Sequence, residues 1–256
     1  MTTRKILTAT LAATALTVCA AAQTVAPIKY GDMDQWITRH IKESKVLGGN
    51  TRTVYEIGPT QTIEGSRPYV NLGGSPWATS NVYAKVMGVV KTSNAVVPAD
   101  HGNGKCARLT TVLEHCKVLG MMNIEVLVSG SIFLGEMIEP ITSTSNPYGK
   151  MNMGIPFTSR PSALQFDYKL VDPGSGTLTR ATTGSKKTYP GEDSADVFIY
   201  LQRRWEDADG NTPTARVTLA VRDDAAGFDK ATLIFAEPGG KKLFASLSRR
   251  DWQYDD

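Results

Sequence analysis

The chain has 256 residues, with 28 Lys and Arg against 25 Asp and Glu and a net charge of +3. That length suits one large all-β domain, since sandwiches commonly reach about 200–250 residues. A basic excess this small, gathered in no block, excludes binding driven by phosphate charge, whether on nucleic acid or on an anionic membrane.

Arg4 and Lys5 precede an apolar run from Ile6 to Val18, and Ala20, Ala21 and Ala22 supply the small residues that signal peptidase requires. Residues 1–22 read as an export signal, which places the protein in the periplasm, at the cell surface or outside the cell. The apolar run is too short for a comfortable bilayer span, so no transmembrane segment is expected. Leu16-Thr17-Val18-Cys19 approximates a lipobox, with Val18 where Gly, Ala or Ser normally stands. Cleavage after Ala22 is preferred, and a lipid anchor at Cys19 is the alternative. Loss of Arg4 and Lys5 leaves the rest of the chain nearly neutral.

Residues 23–51 read as a linker and one short amphipathic helix. Asp32 is placed to cap it, with Gln35 three residues on. Met33, Trp36, Ile37 and Ile41 fall on one helical face, and Gly48-Gly49 end the segment. His40 shares that face. With no second His, Cys or carboxylate at ligand spacing it reads as a packing residue, and no metal site is expected.

From residue 52 to residue 256 the pattern is β. Thr53 to Ile57, Asn81 to Val90, Cys106 to Glu114, Lys117 to Val128, Ser131 to Leu134 and Ala163 to Leu170 are β-branched or aromatic runs between turn residues. So are Ala195 to Arg203, Ala215 to Val221, Thr232 to Ala236 and Leu243 to Leu247. Runs of this kind predict a β-sandwich, jelly-roll-like if it holds two Greek keys. On a continuous strand Cys106 and Cys116 would stand about 33 Å apart, so two buried thiols are expected rather than a disulfide.

The segment from Gly154 to Leu170 joins a proline-rich loop to the cleanest alternation in the chain. Leu164, Phe166, Tyr168 and Leu170 predict a buried face, and Gln165, Asp167 and Lys169 a polar row on the other. The run from Asp196 offers a second such row in Phe198, Tyr200, Gln202 and Arg204. Sugar recognition needs rings to lie against C–H faces and planar polar groups to bond hydroxyls. Gln165, Asp167, Lys169, Tyr200, Gln202 and Arg204 together would form an aromatic and polar groove of that kind. Trp77 is a further candidate platform, though an indole at a strand start more often packs in a core.

No Gly-x-Ser-x-Gly, His-Glu-x-x-His or phosphate-binding glycine loop is present. Glycoside hydrolysis needs only two carboxylates across a groove, and Glu114, Glu125, Glu136 and Asp167 are the candidates on polar rows, with no pair assigned. Trp205 to Asn211 matches part of a calcium loop but lacks the later bidentate glutamate. A hairpin turn is preferred there, with Asp207 and Asp209 as ligands of a weak Ca²⁺ site in the alternative, and no other cofactor is expected.

Several motifs stand together in one order: Trp77-Ala78-Thr79-Ser80-Asn81, Cys106-Ala107-Arg108-Leu109-Thr110-Thr111, Gly130-Ser131-Ile132-Phe133-Leu134-Gly135, Gly154-Ile155-Pro156-Phe157-Thr158, Arg160-Pro161 and Leu164-Gln165-Phe166-Asp167-Tyr168. Between Trp77 and Gly210 the chain resembles the putative carbohydrate metabolism domain (PCMD) family. The resemblance implies a secreted β-jelly-roll associated with bacterial glycan use, and names no reaction. Family members usually continue into a glycine-rich segment and a closing strand, whereas this chain stops at Asp256, so the last strands are expected to be missing and a sheet edge unpaired. Three functions follow as expectations. The leading one is an exported carbohydrate-binding protein, accessory to glycan capture or degradation. The others are a glycoside hydrolase and a non-catalytic surface or assembly protein.

Overall fold

The computed structural model describes residues 25–118, 122–143, 147–159, 163–171, 176–182, 185–191 and 195–197. It also describes the backbone of segments 201–204, 214–217, 219–226, 228–235, 244–247 and 253–255. The expected export signal, with Cys19, lies outside the described residues, as do Tyr200, Asp207 and Asp209. None of the described helices is long and apolar enough to cross a membrane.

The chain is mainly β, built from several antiparallel sheets. Strands β1 (Trp36–Lys42), β2 (Thr51–Ile57) and β3 (Gln61–Glu64) form the first, with β1 in the middle, antiparallel to β2 and parallel to β3. Strand β4 (Trp77–Thr79) follows, then hairpin β5 (Val82–Val86) and β6 (Val89–Ser93), hairpin β7 (Val96–His101) and β8 (Gly104–Leu109), and hairpin β9 (Val112–Val118) and β10 (Met122–Val128). Strand β11 (Ile132–Met137) pairs with β4 on one side and β12 (Met151–Met153) on the other. Further on come β13 (Ala163–Tyr168), hairpin β14 (Thr177–Thr182) and β15 (Ser185–Pro190), β16 (Ala195–Val197), and hairpin β17 (Leu201–Arg204) and β18 (Thr214–Val217). The last four are β19 (Leu219–Ala226), β20 (Phe228–Phe235), β21 (Phe244–Leu247) and β22 (Gln253–Asp255). They complete the sheets β13-β20-β19 and β16-β21-β22.

The expected N-terminal helix is strand instead, and the reason lies in its partners. Met33, Trp36, Ile37 and Ile41 fit a helical face, but Ile37, Arg39 and Ile41 fit a period of two equally well, and all three are buried. As the middle strand β1 has both backbone edges paired, and the β-branched Ile37, Thr38 and Ile41 suit a strand. His40 sits opposite Glu64 of β3, and the two side chains meet at 2.6 Å. The run Asn81 to Val90 is likewise not one strand. Met87 (φ 50°) and Gly88 (φ 80°) make the two-residue turn of the β5–β6 hairpin, in which both central residues need positive φ.

Two apolar clusters hold the N-terminal half together. Trp36, Ile57 and Val96 are buried with Tyr55, Trp77 and Ile132 packed against them, and Ile41, Val54 and Tyr83 are buried with Val90 beside them. Cys106 and Cys116 are half-buried thiols with no disulfide between them, on separate strands that pair with different neighbours. Burial raises the Cys116 thiol pKa against the pull of the Lys91 charge, which keeps it in the unreactive form.

Among these apolar residues lies Arg39, only 2% exposed. Its Nη1 donates to Glu56 Oε1 at 2.9 Å and Glu139 Oε1 at 3.1 Å, and its Nη2 to Glu139 Oε2 at 2.6 Å and the Arg67 carbonyl at 3.1 Å. Glu139 also accepts from the Tyr69 and Tyr83 amides, and Thr79 Oγ1 donates to Glu56 Oε2. The Tyr69 ring stacks 5.1 Å from the guanidinium carbon. Burial opposes charge on Arg39, yet its bonds to Glu139 and the charges of Glu139 and Glu56 hold its pKa above the ordinary value. For Glu56 burial wins over the neighbouring Arg39 and, helped by the Glu139 charge, pushes its pKa up to about 8. One cation thus serves two carboxylates, and the second is easily protonated.

Replacing Arg39 by Met strands two buried acids and is expected to cost about 3–5 kcal/mol in denaturant unfolding. Because the Glu56 pKa is higher folded than unfolded, the native state holds the extra proton between the ordinary 4.5 and about 8. The Glu56 contribution to stability is therefore fully present below that window and is lost as pH rises through it. Melting temperatures across pH 4.5–9 should show this fall in the native chain and a shallower one in Glu56→Gln; equal slopes would refute the assignment.

Candidate functional site

Strand β13 has the faces its alternation predicts. Leu164, Phe166, Tyr168 and Leu170 are half-buried, with the Phe166 and Tyr168 rings 5.9 Å apart, while Gln165, Asp167 and Lys169 are exposed. Pairing with β20 sets Gln165 opposite Thr232 and Asp167 opposite Lys230. The polar row therefore stands on a strand with a fixed neighbour. Upstream, the loop that leads into this strand is tied to β11 by the Gly154 amide, which donates to the Leu134 carbonyl at 2.7 Å, and it exposes 52% of Phe157.

The other predicted site residues lie elsewhere in the sheets. Gln202 and Arg204 are on β17, whose neighbour is β18 and not β13. Trp77 opens β4, half-buried against Trp36, Ile57 and Val96, with its indole Nε1 donating to the Lys29 carbonyl at 2.9 Å. Its ring is engaged in the core.

The four candidate carboxylates stand on four different strands, β9, β10, β11 and β13. In the β9–β10 hairpin Glu114 sits opposite Val126 and Glu125 opposite His115, so the two acids leave on opposite faces. Glu125 meets Lys186 at 3.0 Å and Glu136 accepts from Asn152 at 2.7 Å. Glu114 pairs with Lys91 at 3.1 Å.

That last pair belongs to a pocket of about 360 Å³ whose walls are Arg52 and Thr53 of β2, Lys91 to Asn94 at the end of β6, and Glu114 of β9. Behind it is Glu43, 3% exposed, just past the end of β1. The Thr92 amide and Oγ1 donate to Glu43 Oε1 at 2.9 and 3.1 Å, Lys91 Nζ lies 3.3 Å away, and Arg52 Nε is 3.6 Å from Oε2. Burial works to raise the Glu43 pKa, but the Thr92 amide and the Lys91 charge outweigh it and hold it below the usual carboxylate value. Ser93 Oγ and Asn94 Oδ1 are buried with no hydrogen-bond partner among the described residues. Sequence reasoning missed this pocket, because residues near 52, 91 and 114 meet only through long-range packing.

Over residues 58–225 the sequence matches the family described as PCMD, Putative carbohydrate metabolism domain. The chain belongs to this family. The name points to a carbohydrate-related role. Neither the curated proteins nor the solved structures yield a match. Within the matched span, motif residues act as fasteners in the PCMD chain. Asn81, 1% exposed, donates to the Tyr55 and Val96 carbonyls and accepts from the Val96 amide, which joins β2 to β7.

Lys91→Met takes one cation from Glu43 and is expected to cost about 1–3 kcal/mol at neutral pH, where the buried acid is charged. The depressed Glu43 pKa gives stability that is present above 4.5 and lost as pH falls through the folded value. The difference between native and variant unfolding free energies should accordingly shrink in acid, and a pH-independent difference would contradict the pairing.

Proposed function

We propose that this PCMD protein is exported by the signal in residues 1–22 and binds carbohydrate through the outward row of β13, as an accessory to bacterial glycan capture or degradation. The observation that carries the reading is the exposure of Gln165 and Asp167 on the paired strand β13, with Lys169 exposed just past its end. Spaced two residues apart, their side chains follow one another at about 6.6 Å, which suits successive hydroxyl groups along a sugar chain. The Gln165 amide both donates and accepts, Asp167 accepts from hydroxyls, and Lys169 donates to ring and hydroxyl oxygens. Phe157, exposed on the preceding loop, offers the apolar face that a pyranose ring prefers. Tyr200, Gln202 and Arg204 extend the proposed surface in sequence, and their place in it is part of the proposal.

A glycan array probed with the exported chain should light up, and Gln165→Ala with Asp167→Ala should weaken the captured signal by about tenfold, or 1.4 kcal/mol, for two lost polar contacts. Since both residues are exposed, the melting temperature should stay put, as surface substitutions usually change stability by no more than about 0.5 kcal/mol. A silent array, or variants that bind as well as the native chain, would sink this reading.

A further inference from the structure

Away from the β13 row, the β14–β15 hairpin carries an arrangement that its own pairing does not explain. Its register sets Arg180 directly opposite Lys187. Side chains that face each other across an antiparallel pair start about 5 Å apart, and like charges there are destabilising. Both cations are exposed, and among the described residues neither meets a carboxylate. Lysines elsewhere are treated differently: Lys91 meets Glu43 and Glu114, Lys105 meets Asp100, and Lys186, one residue before Lys187, meets Glu125 of β10 at 3.0 Å. That last pair also orients the hairpin. Because successive side chains leave a strand on opposite faces, the face of Lys186 is turned to β10 and the face of Lys187 away from it.

The rest of that outward face is apolar. Tyr189 lies two residues beyond Lys187 and opposite Leu178, so the two cations and the two larger apolar side chains share one face. Tyr189 is 44% exposed, while Leu178 is half-buried over Gly191, whose missing side chain leaves it room. The Gly191 amide donates to the Gly176 carbonyl at 3.0 Å and closes the open end of the hairpin. Ring and cations are thereby held about 6.6 Å apart along β15.

These groups together select a ligand. An anion relieves the repulsion between Arg180 and Lys187, and a carboxylate can lay both oxygens on the guanidinium fork while the ammonium adds a point charge. The Tyr189 ring suits the C–H face of a pyranose. A neutral sugar leaves the repulsion in place, and a bare anion leaves the ring unused. A uronic acid brings both parts, with its carboxylate one bond off the sugar ring. Two cations are too few for a phosphate polymer or an anionic bilayer, whose hold grows with the number of charges neutralised. We propose that the outward face of the β14–β15 hairpin is a second glycan site, selective for uronate units of an acidic polysaccharide, with Arg180 and Lys187 on the carboxylate and Tyr189 under the ring; the choice of a sugar rests on the carbohydrate role proposed above.

Isothermal titration of the full chain with oligogalacturonate and oligomannuronate tests this, with the methyl esters and polyglutamate as comparisons. At least one uronate oligomer should bind, and esterification, which removes the charge and keeps the sugar, should weaken it by about tenfold. Arg180→Gln with Lys187→Gln should weaken it as much and Tyr189→Ala several-fold, while Lys85→Gln, which removes an exposed lysine of β5, should leave it unchanged. The double variant should melt no lower than the native chain, because it removes a like-charge pair. The site is refuted if neither uronate oligomer binds, if polyglutamate or the esters bind as tightly, or if the Arg180 and Lys187 variants bind like the native chain. Uronate binding lost with Gln165→Ala and Asp167→Ala instead would move the ligand to β13 and refute the hairpin. Hairpin-dependent uronate binding beside an array on which neutral glycans stay silent would sink the β13 reading alone.

Discussion

A guanidinium enclosed by the fold must have its donors met, and Arg39 meets that demand with groups from three separate places in the chain. Glu56 comes from the antiparallel neighbour β2, the Arg67 carbonyl and the Tyr69 ring from the loop after β3, and Glu139 from the turn after β11. Breaking such a cluster is costly, although building it costs desolvation that a purely apolar core would avoid. Its return is specificity. A slip of β1 by one residue would turn Arg39 to the outer face and His40 inward, where Glu56 and Glu139 would face each other without a cation. The register of the first sheet and the seating of the β11 turn are therefore set by one side chain.

A related requirement shapes the far end of β1. Glu43 is buried just beyond the strand and is matched by the Thr92 amide and hydroxyl and by Lys91, so β6 is drawn against the first sheet at a polar contact. Serine and asparagine then follow on β6 and beyond it, in the same surroundings, without partners. The contrast within four consecutive residues is informative: Lys91 and Thr92 are spent on structure, while Ser93 and Asn94 are not. Fully paired polar groups such as Arg39 and Asn81 explain the fold, and only polar groups that are exposed remain to explain function.

How much of this was legible beforehand depends on the range of the interactions. The β13 faces were readable because a period of two is a local property, and Leu164 to Lys169 displays it without interruption. β1 was misread because its apolar residues satisfy helical and strand periods alike, and the deciding facts are its two flanking strands and the distant acids around Arg39. The β5–β6 hairpin was hidden because Met87 takes a positive φ usually filled by Asn, Asp or Gly. Trp77 was ambiguous until its Lys29 contact and core neighbours were visible. The pocket had no sequence signal, since Arg52, Lys91 and Glu114 carry ordinary surface chemistry until packing brings them together.

The partners of the carboxyl groups bear on the glycosidase expectation for this PCMD protein. A glycosidase needs one carboxyl group kept protonated near neutral pH and within reach of the scissile oxygen. Among the described carboxyl groups Glu56 has the required elevation, but it owes that elevation to complete enclosure around Arg39, which also denies it substrate. The more accessible acids have partners of their own: Glu114 and Glu125 are paired with lysines on opposite faces of one hairpin, and Glu136 is bonded to Asn152. The elevation at Glu56 thus belongs to the buried cluster around Arg39 and not to an open groove.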